Sequence, residues 1–435
     1  MRKTHLFAFA LAAAITLPGV WLRLAAVPAA APVTALASGA AILGASFLLL
    51  WACDAAQADI SQALALAVVA LIAVLPEYSV DMYFTWQAGR NAAGDYAHYA
   101  IANMTGANRL LIGVAWAAIA GICWLRFRKP VVLESERRTE IAFLGAATLY
   151  GFLIPVKGTL AWYDGAVLLG LYGWYLAAAA RRCCAETEAE GPAELIARLP
   201  GARRRLATTA LFLLAGFVIL YNAEPFCEGL VATGRLFRIN EFLLVQWLAP
   251  IASEAPEFTV ALVFAWRGQA GLALGSLLSA KLNQWTLLVG MIPGVFAVSH
   301  GTLEHPIPMG GFQMAEILLT AAQSLLAVAL LAGLRLTGGG ALLLFGLFAG
   351  QLVLPAAVGG HPLFGLTPDQ IHPVFSFLYV VAAAALFAQN PREITSLFRR
   401  REDEDAPRTP HCLTCKWRRA GRQAPVRSRA EAAGR

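Results

Sequence analysis

Two short stretches of this chain place a proline and a glutamate side by side where almost every neighbour is apolar. The first reads Ala73-Val-Leu-Pro76-Glu77-Tyr-Ser-Val-Asp81, and the second Ile251-Ala-Ser253-Glu254-Ala-Pro256-Glu257. A carboxylate deep in an apolar run is costly, so it marks an ion path or a binding site unless a partner neutralises it. Proline lacks an N–H and clashes with the carbonyl one turn back, so a helix is expected to break there and free backbone oxygens. Each stretch precedes a cluster of small polar residues, Ala102-Asn103-Met-Thr105-Gly106-Ala-Asn108 and Gly275-Ser276-Leu-Leu-Ser279-Ala-Lys281. Together these supply a hard, oxygen-rich cage suited to Na⁺, Ca²⁺ or H⁺. The candidate cation ligands are Glu77, Asn103, Asn108, Ser253, Glu254, Glu257 and Ser276, with Glu77 and Glu257 as the expected metal ligands. Asp81 and Lys281 are candidate coupling or fixed-charge groups. Small residues such as Gly106 and Gly275 let the helices that carry these groups approach closely.

Plainer roles exist for the same residues. Glu77 and Asp81, four apart, could serve helix packing through a partner such as Arg109, and Lys281 could simply neutralise Glu254 and Glu257. Tyr78, Trp86 and Trp285 read as packing or interface aromatics.

The elements that must hold such groups are transmembrane helices. The 435 residues are 58% hydrophobic and 14% charged, with a mean hydropathy of +0.61, and the apolar residues come in runs of bilayer length. Twelve spans are expected, at roughly 6–24, 31–52, 63–88, 97–124, 140–156, 161–180, 207–231, 241–265, 271–298, 312–333, 340–357 and 371–388. With the N-terminus inside, Arg126, Arg128, Lys129, Arg137, Arg138, Arg203, Arg204, Arg205, Arg267 and Arg335 fall in inside segments, whereas Arg23, Arg90, Lys157, Arg235 and Arg238 fall outside. That bias matches the rule that basic residues collect in cytoplasmic loops. It places a multi-pass protein in the plasma membrane with a cytoplasmic C-terminus, and the net charge of +7 then needs no nucleic-acid partner.

Residues 31–180 and 207–358 look like two copies of one five-helix unit. Five is odd, so the second copy enters the membrane from the opposite side, as an inverted repeat whose ion site forms near the midplane. The expected fold is all-α and polytopic, two inverted five-helix repeats with one extra helix at each end. Residues 1–30 are an N-terminal span or signal-like segment, 181–206 a cytoplasmic linker, 359–390 an extra span, and 391–435 a basic, disordered tail. His361, Asp369 and His372 are expected as solvated groups in the last outside loop. His411, Cys412 and Cys415 lack a second ligand pair for zinc.

The paired motifs resemble those of the calcium/cation antiporter superfamily, the sodium/calcium exchanger membrane region. Each repeat of that family carries a pattern like Gly-Thr-Ser-x-Pro-Glu and then Gly-Asn-x-x-Gly-Ser-Asn. The resemblance places the family's cation-ligating glutamates on Glu77 and Glu257, its first-repeat asparagines on Asn103 and Asn108, and its second-repeat threonine on Ser253. Departures are Ala73-Val74 for Thr-Ser, Glu254 for the second serine, Ser276 for asparagine, and Ser279-Ala280-Lys281 for Gly-Ser-Asn. Lysine donates and cannot accept. Lys281 therefore stands in for one cation, carries the coupling proton, or has abolished transport.

The resemblance implies a secondary antiporter exchanging Ca²⁺ or another cation against H⁺ or Na⁺. The alternatives are Na⁺/H⁺ exchange on the same fold, or a non-transporting membrane scaffold or sensor. The expected partners are inorganic cations and the lipid bilayer. No cofactor is expected, since no Gly-rich phosphate loop is present, and no Ser-His or Cys-His arrangement within the spans points to an enzyme.

Overall fold

The computed structural model describes residues 2–57, 59, 74–180, 191–358 and 368–393, and nearly all of them are helical. Apolar runs of this length have no other way to satisfy their backbone in lipid. The long helices are α1 (Arg2–Leu24), α2 (Ala31–Ala56), α3 (Leu75–Arg90), α4 (Tyr96–Phe127), α5 (Arg138–Lys157), α6 (Trp162–Ala179), α7 (Gly201–Phe237), α8 (Glu241–Trp266), α9 (Ala270–His300), α10 (Gly311–Leu331), α11 (Gly338–Val358) and α12 (Pro368–Gln389). Among the described residues nine are long and apolar enough to cross a membrane by length and composition. The other three long helices, α3, α6 and α11, do not meet that measure over the described residues. Large apolar side chains such as Leu6, Leu149, Trp174, Leu213 and Leu342 point outward, as lipid-facing surfaces require.

The repeat is visible in the packing. With α2–α6 as one copy and α7–α11 as the other, α2 lies along its counterpart α7. The contact of α4 with α8 is mirrored by that of α9 with α3, and that of α6 with α9 by that of α11 with α4. Both α4 and α9 widen into a π-helical segment at corresponding places, Leu111–Trp116 and Gln284–Leu288.

Two short pairings tie the copies together. Val131–Val132, between α4 and α5, pairs antiparallel with Arg335–Leu336, between α10 and α11. Leu160, between α5 and α6, bridges Ile307, between α9 and α10.

Some expectations change. Helix α7 starts at Gly201 and takes in Arg203, Arg204 and Arg205, which the sequence placed in the linker. His372 lies within α12 and not in a loop. The start of the third span with Ala73, residues 181–190, His361, the side chain of Asp369, and the tail with His411, Cys412 and Cys415 lie outside the described residues.

Candidate cation site

Pro76 sits in the first turn of α3, after Val74 at φ −89°, ψ 5°. A missing N–H costs nothing there because first-turn donors have no intrahelical partner. The second copy differs, because α8 runs unbroken through Pro250 and Pro256, so the expected break at Pro256 does not occur. Pro250 cannot donate to the Gln246 carbonyl, and Gly106 of α4 packs so closely there that a Cβ would lie 1.8 Å from that oxygen. The Ser253 hydroxyl donates to the carbonyls of Ala249 (3.2 Å) and Pro250 (3.3 Å) on its own helix.

The packing of α3, α8 and α9 brings the carboxylates together. Glu77 and Glu254 are buried and Glu257 is half-buried, and with Lys281 they lie within mutual electrostatic reach. A residue the sequence reading passed over joins two of them. The Gln284 side-chain nitrogen donates to Glu77 Oε2 at 3.0 Å and to Glu254 Oε1 at 3.0 Å. Glu77 Oε1, Glu254 Oε2 and Gln284 Oε1 stay buried without a hydrogen-bond partner.

Lys281 is fully buried in α9. Its ammonium donates to Asn108 Oδ1 at 2.6 Å and lies 4.6 Å from the centroid of the Trp285 ring. Asn108 in turn donates to the Met104 carbonyl at 2.8 Å. The oxygen expected as a cation ligand thus serves Lys281, and Trp285 is a cation–π partner as well as a packing residue. One turn along α3 from Glu77, Asp81 Oδ1 accepts from Asn103 Nδ2 at 3.3 Å, and Asp81 Oδ2 and Asn103 Oδ1 have no partner. Ser276 is not brought in: it is exposed, and its hydroxyl donates to the Ala273 carbonyl at 3.0 Å.

Buried oxygens without partners are what a hard cation needs. Among the described residues no three His, Cys, Asp or Glu groups converge on one point. Asn283 and Gln284 carried a readable signal, an amide pair in an apolar helix within three residues of Lys281.

Arg109 is not a partner of Glu77 or Asp81. It forms a fully buried ion pair with Glu316 of α10. Glu316 Oε2 also accepts from Gln246 Nε2 at 2.5 Å, and Glu316 Oε1 lies 2.8 Å from His372 Nδ1. His372, expected in solvent, therefore ties α12 to this pair. Tyr78 likewise has a polar task, donating to Asn283 Oδ1 at 2.5 Å.

Comparison with known proteins fits this geometry. The crystal structure of the H⁺/Ca²⁺ exchanger CAX matches at 40% identity with a TM-score of 0.85, covering 91% of this chain and 97% of that one. The "Putative antiporter CaxA" of Alkalimonas amylolytica is 28% identical over 159 residues, 36% of this chain and 47% of that protein. The uncharacterized membrane protein MJ0091 of Methanocaldococcus jannaschii is 23% identical over 191 residues, 44% of this chain and 57% of that protein. The chain thus spans about half the length of these two curated relatives. The model of the sodium/calcium exchanger protein family matches twice, over residues 30–180 and 207–356. With one match on each copy of the inverted repeat, and together more than half of the chain, this multi-pass membrane protein belongs to the sodium/calcium exchanger family.

Proposed function

We propose that the chain is a secondary antiporter that moves Ca²⁺ against H⁺ through the carboxylates of Glu77, Glu254 and Glu257. The observation that carries the reading is one buried acid from each inverted copy, Glu77 and Glu254, meeting at a single amide beside a buried ammonium. When all are ionised, Glu77, Glu254 and Glu257 leave two negative charges beyond the Lys281 ammonium, and Asp81, also within electrostatic reach of Glu77, adds a third. Lys281 supplies the positive charge in this scheme, its ammonium donating to Asn108 and facing the Trp285 ring. Asp81, a turn away and engaged by Asn103, is a second carboxylate along the path. The choice of ions is supported by the 40%-identical exchanger, which is named for H⁺ and Ca²⁺. An ion gradient in the plasma membrane drives the exchange, with the C-terminus on the cytoplasmic side.

The test is radioactive Ca²⁺ uptake into proteoliposomes under separately imposed H⁺ and Na⁺ gradients. An H⁺ gradient is expected to drive uptake by the wild type. Glu77→Gln and Glu257→Gln are each expected to weaken the apparent Ca²⁺ affinity on the order of tenfold or more, the effect of losing about 1.4 kcal/mol of ligation. Uptake driven only by Na⁺ would replace the counter-ion. No uptake under either gradient would remove Ca²⁺ transport, and Na⁺/H⁺ exchange would take its place.

A further inference from the structure

Gln284 touches a carboxylate of each copy, and its atoms are used unevenly. Both N–H bonds of its amide are engaged, one on Glu77 and one on Glu254, each at 3.0 Å. Its oxygen is buried with no partner, as are the second oxygens of the same two carboxylates. A buried amide oxygen left unsatisfied is costly, and it persists more readily where it serves a second state.

Gln284 is also the first residue of the π-helical segment of α9, a local widening of the helix often found at functional sites. The offset of 173 residues that relates Asn108 to Lys281 relates Leu111 to Gln284. Leu111 opens the π-helical segment of α4 and has no polar atoms on its side chain. The amide is thus present in one copy only, so it is not a requirement of the repeated fold.

We propose that Gln284 is a two-state specificity residue: its nitrogen bridges Glu77 and Glu254 while no cation is held, and its oxygen turns in as a ligand when a cation enters. An amide carries two donors and one acceptor on the same planar carbon, so a half-turn about its last side-chain torsion exchanges one for the other. In the first orientation the NH₂ group stands where positive charge is wanted and holds two like-charged carboxylates side by side. In the second, Gln284 Oε1 joins Glu77 Oε1 and Glu254 Oε2 in facing a hard cation. Entry of the cation and departure of the amide nitrogen are then one event.

This inference rests on the antiport reading, and the test separates the two. Equilibrium binding of radioactive Ca²⁺ to detergent-purified protein is measured with H⁺-driven uptake into proteoliposomes, for wild type, Gln284→Met and Gln284→Glu. Both substitutions keep the length of the side chain, and size-exclusion profiles report folding. Gln284→Met removes the oxygen and is expected to raise the Ca²⁺ Kd and the KM of uptake about tenfold with the maximal rate little changed. Gln284→Glu supplies oxygens in either orientation and is expected to lower the Kd about tenfold while slowing turnover. A packing role would lower the folded yield of the variants and leave the Kd and KM of the folded fraction unmoved. Kd and KM within twofold of wild type in both variants would overturn the inference while antiport stands. A wild type that neither binds nor carries Ca²⁺ would overturn antiport, and this inference with it.

Discussion

Among the described residues two basic side chains are fully buried, Arg109 and Lys281, and their partners differ in kind. Arg109 meets the carboxylate of Glu316 directly, with Gln246 on the same oxygen and His372 beside the other. Lys281 meets an amide oxygen and an aromatic face, so its field acts on Glu77 and Glu254 without a direct bond to either. The first arrangement is a closed structural unit, and the second leaves charge available to a mobile ion. A closed unit responds in a characteristic way to mutation. Removing one member of a buried pair strands the other and costs about 3–5 kcal/mol, whereas replacing both by apolar groups is close to neutral. Glu316→Gln and Arg109→Met are therefore each expected to lower the thermal midpoint in detergent, and the double variant Arg109→Met with Glu316→Leu to recover most of the loss. A double variant melting as far below wild type as the two singles combined would remove the pairing argument. The acids were legible in the sequence because a carboxylate in an apolar run is rare. Their partners were not: Gln284 stands 207 residues from Glu77 and Glu316 stands 207 from Arg109, and only the fold decides who meets across such a separation.

Helices were legible as apolar runs, and their ends and breaks less so. A prolyl residue was expected to open α8 as one does the start of α3, yet α8 continues. Gly106 of α4, where a Cβ would collide with the Gln246 carbonyl, packs against the α8 turn before Pro250, and the Ser253 hydroxyl bonds back to the Ala249 and Pro250 carbonyls of its own helix. Those contacts come from a neighbouring helix and from rotamer choice, neither of which a local pattern shows. The early start of α7 has a similar cause. Arg204 reaches Asp59 beyond the end of α2 with two hydrogen bonds of 2.6 and 2.7 Å, and the two helix ends are clamped outside the apolar spans. The guanidinium hydrogen bond holds the Asp59 carboxyl below its ordinary range. A carboxyl with a lowered folded pKa contributes stability above its unfolded value, about 3.9, and loses it as pH falls through the lower folded value. Asp59→Asn is expected to melt lower than wild type at neutral pH by an amount under about 1 kcal/mol, since the pair is partly solvated. The gap between the two should close as pH drops below about 4. A gap independent of pH down to 3 would mean that the clamp owes nothing to the charge of Asp59.

At the scale of the molecule, the two pairings between copies are images of each other. Val131–Val132 lies between the third and fourth helices of its copy and pairs with Arg335–Leu336, between the fourth and fifth helices of the other. Leu160, between the fourth and fifth helices of the first copy, bridges Ile307, between the third and fourth of the second. One helix separates the members of each kind along the chain, so the two pairings lie at opposite ends of the bundle. Repeat motifs made the inversion readable from sequence. Which loops would pair was not readable, because strands of two residues carry no pattern. Charge then assigns the ends to sides of the membrane. The Val131 end gathers Arg126, Arg128, Lys129, Arg137, Arg138 and Arg335, whereas the opposite end, with Leu160 and Ile307, holds the sparser set Arg23, Arg90, Lys157, Arg235 and Arg238. Since basic loops stay in the cytoplasm, the Val131 end is expected on the cytoplasmic side and the Ile307 end outside. Glu134 and Glu304 are exposed, one at each end, and are suitable places for a reporter. In a background with the seven native cysteines replaced, Glu304→Cys is expected to react with a membrane-impermeant maleimide on intact cells. Glu134→Cys is expected to react only after permeabilisation. The opposite pattern would invert the orientation while leaving the inverted repeat intact, and labelling of both on intact cells would place both ends outside, which this helix order does not allow.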